Sequence, residues 1–204
     1  MTRMPPLETA RLVIRPFVIG DLDALHQILD VELSEADFGT EGAQSLDERR
    51  EWLEWAVLNY DQLAKMYQPP YGDRAIVLKQ SGQLIGAIGY VPCMMPFGQL
   101  PALAASLDEA TRRLATCELG LYYALAPAHQ RQGYTSEAAA AMVEYAFQSL
   151  GLRRVVATTT YDNQGSMGVM RKLGMQIERN PFSDPPWMQV VGFIASPRAP
   201  DSPV

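Results

Sequence analysis

Between Pro127 and Phe147 the sequence reads PAHQRQGYTSEAAAAMVEYAF, and its polar front half collects residues that could hold an anion. Gly133 has no Cβ, so the backbone can turn there and come close to a ligand. Thr135 and Ser136 carry small hydroxyls that can cap a helix or donate, and Arg131 adds a cation nearby. The back half, dense in Ala, Met, Val, Tyr and Phe, has the pattern of a helix. The first N–H groups of a helix have no intrahelical partner, and the helix dipole favours negative charge beside them. The stretch is not a P-loop, since no Gly-Lys-Ser/Thr follows, and it lacks the three spaced glycines of the dinucleotide fingerprint. A plain loop running into a capped helix would use the same residues.

Such a loop needs a strand leading in and a helix leading out. TCELGLYYAL, just before it, reads as the strand, with Leu119, Leu121, Tyr123 and Leu125 on one face and Glu118, Gly120, Tyr122 and Ala124 on the other. The helix is expected from about Thr135 to Leu150, with Ala139, Met142, Val143, Ala146 and Leu150 buried and Gly151 as its stop. Upstream, Arg11–Phe17 reads as a first strand and Asp21 as the N-cap of a short helix, LDALHQILD. Asp47–Lys65 reads as a longer helix with Trp52, Trp55, Ala56 and Leu63 on its apolar side. RAIVLK and QLIGAIGYV, joined by Gln80-Ser81-Gly82, form a hairpin. Downstream, RRVVATTT is a strand, DNQGSMGVMRKLGM a loop and helix, and MQIER and MQVVGFIAS closing strands. Helices crossing between strands imply an α/β core with a mixed sheet.

Composition narrows the function classes. The chain has 204 residues, 48% hydrophobic and 20% charged, enough for one globular domain with a sizeable core. Seventeen basic against twenty-three acidic residues leave a net charge of -6, which argues against general binding to nucleic acid or to an anionic membrane. Cys93 and Cys117 are the only cysteines; they make neither a disulfide framework nor, with His26 and His129, a metal-ligand spacing, so no metal is expected. No apolar leader and no run of membrane-spanning length is present, which points to a soluble, cytoplasmic protein.

QRQGYT, Gln130 to Thr135, resembles the Gln/Arg-x-x-Gly-x-Gly/Ala acyl-coenzyme A signature of the GNAT acetyltransferase superfamily, with Thr135 where the family has Gly or Ala. LETARLVIRPFVIGDLDAL, ELGLYYALAPAHQRQGYTSEA, YDNQGSMGVMRKLGM and VVGFIAS stand in the order shown by the branch that acetylates ribosomal-protein N-termini. The resemblance covers roughly residues 7 to 196 with gaps. It implies an α/β (α+β) fold: a GNAT-like mixed, mostly antiparallel central sheet, splayed between strands 4 and 5 (TCELGLYYAL and RRVVATTT) and flanked by helices. It implies a single acyl-coenzyme A N-acyltransferase domain over residues 1–196, with an insertion at about 92–114 and a disordered tail at 197–204.

Site roles follow from the resemblance residue by residue. The backbone amides of Arg131, Gln132, Gly133, Tyr134 and Thr135, with Gln130 and Ser136 beside them, would hold the pyrophosphate of acetyl-coenzyme A. Leu125 and Ala126 would pair their backbone with the pantetheine arm, like an added strand. Asn163 would hydrogen-bond the pantetheine, and Ser166 would protonate the leaving thiolate; an ordinary capped turn would also show a hydroxyl three residues after Asn163. Met170 stands where many relatives have a tyrosine. An amine attacking a thioester must lose a proton, and Glu118 is the candidate base, with a salt-bridge role equally open to it. Tyr122, on the same face, could orient substrate. His26 and His129 read as structural.

The activity implied is transfer of acetyl from acetyl-coenzyme A to a primary amine, on a protein N-terminus or a small molecule, by direct attack. A non-catalytic module that senses acyl-coenzyme A is the alternative, and a nucleotide-phosphate binder a third reading. Glu41, Asp47 and Glu48 could attract a cationic acceptor or form a solvated face. Members of the family often dimerise, so the resemblance leaves a homodimer open.

Overall fold

The computed structural model describes residues 3–35, 42–104 and 107–197. Glu41 and the tail from 198 onward lie outside the described residues. The strands are β1 (Leu7–Glu8), β2 (Leu12–Pro16), β3 (Gly72–Leu78), β4 (Leu84–Met95), β5 (Thr116–Leu125), β6 (Arg154–Thr159), β7 (Gln176–Arg179) and β8 (Val190–Ala195). The helices are α1 (Leu22–His26, running into a wider turn at Gln27–Glu32), α2 (Leu46–Lys65), α3 (Glu109–Arg112), α4 (Tyr134–Gln148) and α5 (Gln164–Lys172). The strand order is β1-β2-β3-β4-β5-β6-β8-β7. β5 and β6 run parallel, whereas β1–β2, β2–β3, β3–β4, β6–β8 and β7–β8 are antiparallel. This is the mixed, mostly antiparallel sheet flanked by helices that the sequence led us to expect. The β5–β6 ladder holds at Leu119↔Val155 and Gly120↔Val156, while β6 pairs with β8 at all six positions from Arg154 to Thr159.

The chain forms two compact units, Met1–Tyr90 with Tyr122–Met142, and Val91–Leu121 with Val143–Val204. In the first, α2 opens on a capping box: the Ser45 hydroxyl accepts from the Glu48 N–H at 3.3 Å, and the Glu48 carboxylate accepts from the Ser45 N–H at 2.8 Å. Its buried line is Arg49, Leu53, Ala56 and Tyr60. Trp55, expected on the apolar side, is 57% exposed, whereas Trp52 packs edge-on against Phe17. An arginine can occupy the buried line because it forks onto Asp30, at 2.7 and 2.8 Å. Asp21 does not cap α1. Its carboxylate takes a bidentate bond from Arg15 at 2.7 and 2.8 Å and accepts from the Val18 N–H, closing the turn that precedes the helix. β1 was not visible in the sequence pattern; two residues are too few to show a period.

In the second unit β4 continues through Pro92 to Met95, so the departure expected at Pro92 begins at Pro96. Phe97 and Leu100 then enter a core with Val156, Met188 and Val191. The Asn180 amide donates to Gln99 Oε1 at 2.9 Å and Gln99 donates to the Asp184 carbonyl, tying this segment to the β7–β8 connection. Within the stretch expected to be an insertion stands the single turn α3, capped by Asp108, which accepts from the Thr111 N–H at 2.8 Å.

Candidate active site

The loop after β5 begins with one tight turn at Pro127–His129 and then takes two left-handed steps, Arg131 at φ +59° and Gly133 at φ +83°. For Gly133 that conformation is free; for Arg131 it costs about 1 kcal/mol, a strain of the kind that collects at functional loops. Alternating left-handed residues turn successive N–H groups toward a common side, the geometry of an anion-binding nest. α4 follows at once, and its first helical hydrogen bond runs from the Glu137 N–H to the Gly133 carbonyl, at 3.0 Å. Among the described residues the backbone N–H groups of residues 131–136 have no acceptor. A Cβ added at Gly133 would meet Arg11 Nη2 at 3.4 Å and, its chain neighbours aside, nothing else within 4 Å. The loop is held from behind: Gln130 Nε2 donates to the Leu125 carbonyl and Gln132 Nε2 to the Ala128 carbonyl, both at 2.9 Å.

One brace was invisible in the sequence. Arg11 donates through Nε to Glu137 at 2.6 Å, through its backbone N–H to the same carboxylate at 2.8 Å, and through Nη1 to the Gln132 carbonyl at 3.1 Å. The Thr9 hydroxyl adds a 2.6 Å bond to Glu137, and the Arg11 guanidinium lies 4.2 Å from the centre of the Tyr134 ring. Burial pushes the Glu137 carboxyl up, but the bonds from Thr9 and Arg11 and the charge of Arg11 outweigh it and hold its pKa below the usual range. A bare carboxylate in the first turn would repel an anion at the loop; Arg11 cancels it. The signal was an arginine just before β2 and a glutamate in the first turn of α4, uninformative until the fold joins them.

Two backbone groups expected to meet the pantetheine arm have partners inside the protein. The Ala126 N–H donates to the Ile85 carbonyl at 2.9 Å, and the Leu125 carbonyl accepts from Gln130. The amide of Ala126 is thereby used, whereas the Leu125 carbonyl keeps a second lone pair.

In the second unit Glu118 is ion-paired with Arg154, both side chains largely buried. Of its two readings, the salt bridge is the one its surroundings provide. The neighbouring Cys93 thiol is pushed up to about 11 by burial, with Cys117 and Glu118 adding to the shift, so it is inert as a nucleophile near neutral pH. Asn163 Oδ1 caps α5, accepting from the Ser166 N–H at 2.9 Å, which places Ser166 in the first turn of that helix. Met170 is fully buried. His26 contacts the Gln44 carbonyl through Nε2 at 3.2 Å, and the His129 ring lies edge-on to Tyr134; both fit structural roles.

Tyr122 is half-buried beneath the helical layer of the first unit, packed on the cluster of Phe17, Leu25 and Leu53. Burial, with the charge of Asp73 adding to it, drives its phenol far above its ordinary range. Asp73, at the start of β3, was not singled out from sequence.

A row of amides thus stands at a helix start, entered from a strand of a mixed sheet, and similarity to known proteins gives the family. Residues 11–176 match the family model of the acetyltransferase (GNAT) domain, and the chain belongs to the GNAT acetyltransferase family. It is 29% identical over 175 residues, 85% of this chain and 84% of the other, to the uncharacterized N-acetyltransferase YoaA of Bacillus subtilis. In fold it is similar to a GNAT-family acetyltransferase from Bacillus anthracis, with a TM-score of 0.66 at 22% identity, covering 93% of this chain and 98% of that one. It is also similar to RimL, a ribosomal L7/L12 alpha-N-protein acetyltransferase solved in complex with coenzyme A. There the TM-score is 0.59 at 18% identity, over 91% and 93% of the two chains.

Proposed function

We propose that the protein transfers acetyl from acetyl-coenzyme A to a primary amine, on a protein N-terminus or a small molecule. The observation that carries this is the row of unpartnered N–H groups over residues 131–136, leading into the first turn of α4. A diphosphate fits that row by charge and by hydrogen bonding, with the α4 dipole in support. Thr135 and Ser136 add hydroxyls, and Arg11 and Arg131 supply positive charge. Fixing the diphosphate fixes the thioester, and holding amine and thioester together accounts for much of the rate. The amine attacks the thioester carbonyl carbon directly, the C–N bond forms, the C–S bond breaks, and coenzyme A leaves as thiol. Asn163 and Ser166 enter this reading through the family resemblance, as pantetheine contact and proton donor to the thiolate. Among the described residues no group of three or more His, Cys, Asp and Glu could hold a metal ion.

One observation favours a second reading. With Glu118 engaged by Arg154, the base expected from sequence is occupied, as it would be in a module that binds acetyl-coenzyme A without turning it over. Calorimetric titration with acetyl-coenzyme A, paired with a thiol-release assay over a panel of amines, separates the two. Binding with release supports the enzyme, and binding without release on any amine supports the sensor. ATP competing with acetyl-coenzyme A at similar affinity would shift the reading to a nucleotide-phosphate site.

A further inference from the structure

We propose that Asp73, whose carboxylate lies over Gly89, accepts the proton of an acceptor amine brought to the end of β3, on the face of β3, β4 and β5 that packs beneath α1 and α2. The inference rests on the acetyl-transfer reading above. The residues that alternate with Asp73 along β3, Ala75 and Val77, belong to the core cluster beneath those helices, as do Ala87 on β4 and Ala124 on β5. At Asp73 that apolar row gives way to a carboxylate. Its cross-strand partner is Gly89, and a Cβ at Gly89 would stand 2.7 Å from Asp73 Oδ1 and 2.4 Å from the Gly72 carbonyl oxygen. Only glycine at that position leaves room for the carboxylate to lie across the sheet.

The backbone of Asp73 is fixed: the Tyr60 hydroxyl donates to its carbonyl, and the Phe17 N–H donates to that hydroxyl at 3.1 Å. Its carboxylate, however, has no hydrogen bond or ion pair among the described residues. The cations that could serve it are committed elsewhere, Arg49 to Asp30 and Arg15 to Asp21. The charged and titratable groups around it are Arg49 and Tyr60 on α2, Tyr122 on β5, Asp30 beyond α1, and Arg74, which lies over the Tyr60 ring. Burial pushes the Asp73 carboxyl up to about 7, against the pull of Arg49. A half-buried, rigidly mounted, unpaired carboxylate that titrates near neutrality matches what a general base requires.

The step balances. The substrate ammonium gives one proton to Asp73, which passes it to solvent. The freed lone pair attacks the thioester carbon, the C–S bond breaks, the nitrogen gives up its surplus proton, and the sulfur gains one. The sum is ammonium and acetyl-coenzyme A giving amide, coenzyme A thiol and one proton.

The test measures kcat/KM by thiol release over a panel of primary amines (a free-N-terminus tripeptide, a polyamine and an aminoglycoside) from pH 5.5 to 9. Acetyl-coenzyme A affinity is measured separately by calorimetry, and folding by thermal melt. The expected result is a wild-type acidic limb near pH 7. Asp73→Asn should bind acetyl-coenzyme A unchanged, lose about 100-fold or more in kcat/KM at pH 7 and lose that limb, with partial recovery in Asp73→Glu. Activity within threefold of wild type, or an unchanged limb, overturns the inference and leaves the transfer reading standing. Acetyl-coenzyme A bound with no amine acetylated overturns both this inference and the enzyme reading, whereas no binding at all overturns the donor site beneath them. Should Asp73→Asn fail to fold, the wild-type profile decides alone: no limb between pH 6 and 8 overturns the inference.

Discussion

Arg11 and Glu137 lie 126 positions apart in the chain and meet at 2.6 Å, joining the residue before β2 to the first turn of α4. The Arg11 side chain is 45% exposed, so the pair adds little to stability, about 1 kcal/mol or less. Its consequence is electrostatic, because without Arg11 the Glu137 carboxylate faces the nest uncompensated. Arg11→Ala is expected to weaken acetyl-coenzyme A binding about tenfold while shifting the melting temperature only slightly. Glu137→Gln placed on top of it should recover part of the loss. Calorimetric titrations of the two variants at low and high salt check both statements, since the effect should shrink as salt screens it.

Gly133 tests the nest itself. At φ +83° an alanine is strained by about 1 kcal/mol, and its Cβ would sit at the mouth of the loop, 3.4 Å from Arg11 Nη2. Gly133→Ala should therefore lower stability modestly and weaken acetyl-coenzyme A binding by tenfold or more. Gly82, also at positive φ with nothing within 4 Å of an added Cβ, serves as the control. Gly82→Ala should show the same stability loss without the change in affinity.

The contrast between the nest and its brace shows what a sequence can disclose. The strand Thr116–Leu125, the loop glycine and the helix that follows are local, and each carries its own signal: alternation, a missing Cβ, a 3.6-residue stripe. Asn163 as a cap was legible for the same reason, its partner lying three residues on. What escaped is non-local. Asp21 looks like a helix cap until Arg15 is known to be its partner, and Trp55 looks like core until Arg49, through Asp30, takes a place in the buried line. Asp73 stands directly before RAIVLK with no pattern to single it out; Gly89 comes opposite it through register, which is a property of the folded sheet.

Asp73 also predicts a pH dependence of stability that is independent of catalysis. Its pKa rises from 3.8 to about 7 on folding. Below pH 4 both states are protonated and nothing is lost. Between pH 4 and 7 the unfolded chain ionises while the folded one resists, so stability falls as pH rises, with the full loss reached above 7. Allowing for partial exposure, the cost is on the order of 2 kcal/mol at pH 8. Asp73→Asn should therefore melt higher than wild type at pH 8, by about 4–8 °C, and at the same temperature at pH 4. Calorimetric melts of both proteins across that range check the sign and the window.

The Asp30–Arg49 pair predicts the opposite slope. Burial raises the Asp30 carboxyl, but the Arg49 fork, the Gln44 N–H at 2.9 Å and the charge of Arg49 together bring it below its ordinary 3.8. Its stabilising contribution is thus complete above pH 4 and disappears as pH falls through the lowered value. The two side chains are 2% and 10% exposed, so removing one partner leaves the other charged and buried. Asp30→Asn should cost about 3–5 kcal/mol near pH 7. The double variant Asp30→Leu with Arg49→Met replaces both charges by apolar groups and should regain most of that loss, since the penalty lies in the orphaned cation. If urea titrations find the double variant no more stable than Asp30→Asn, the pair is instead holding the Gln44 amide and the approach to α2 in place.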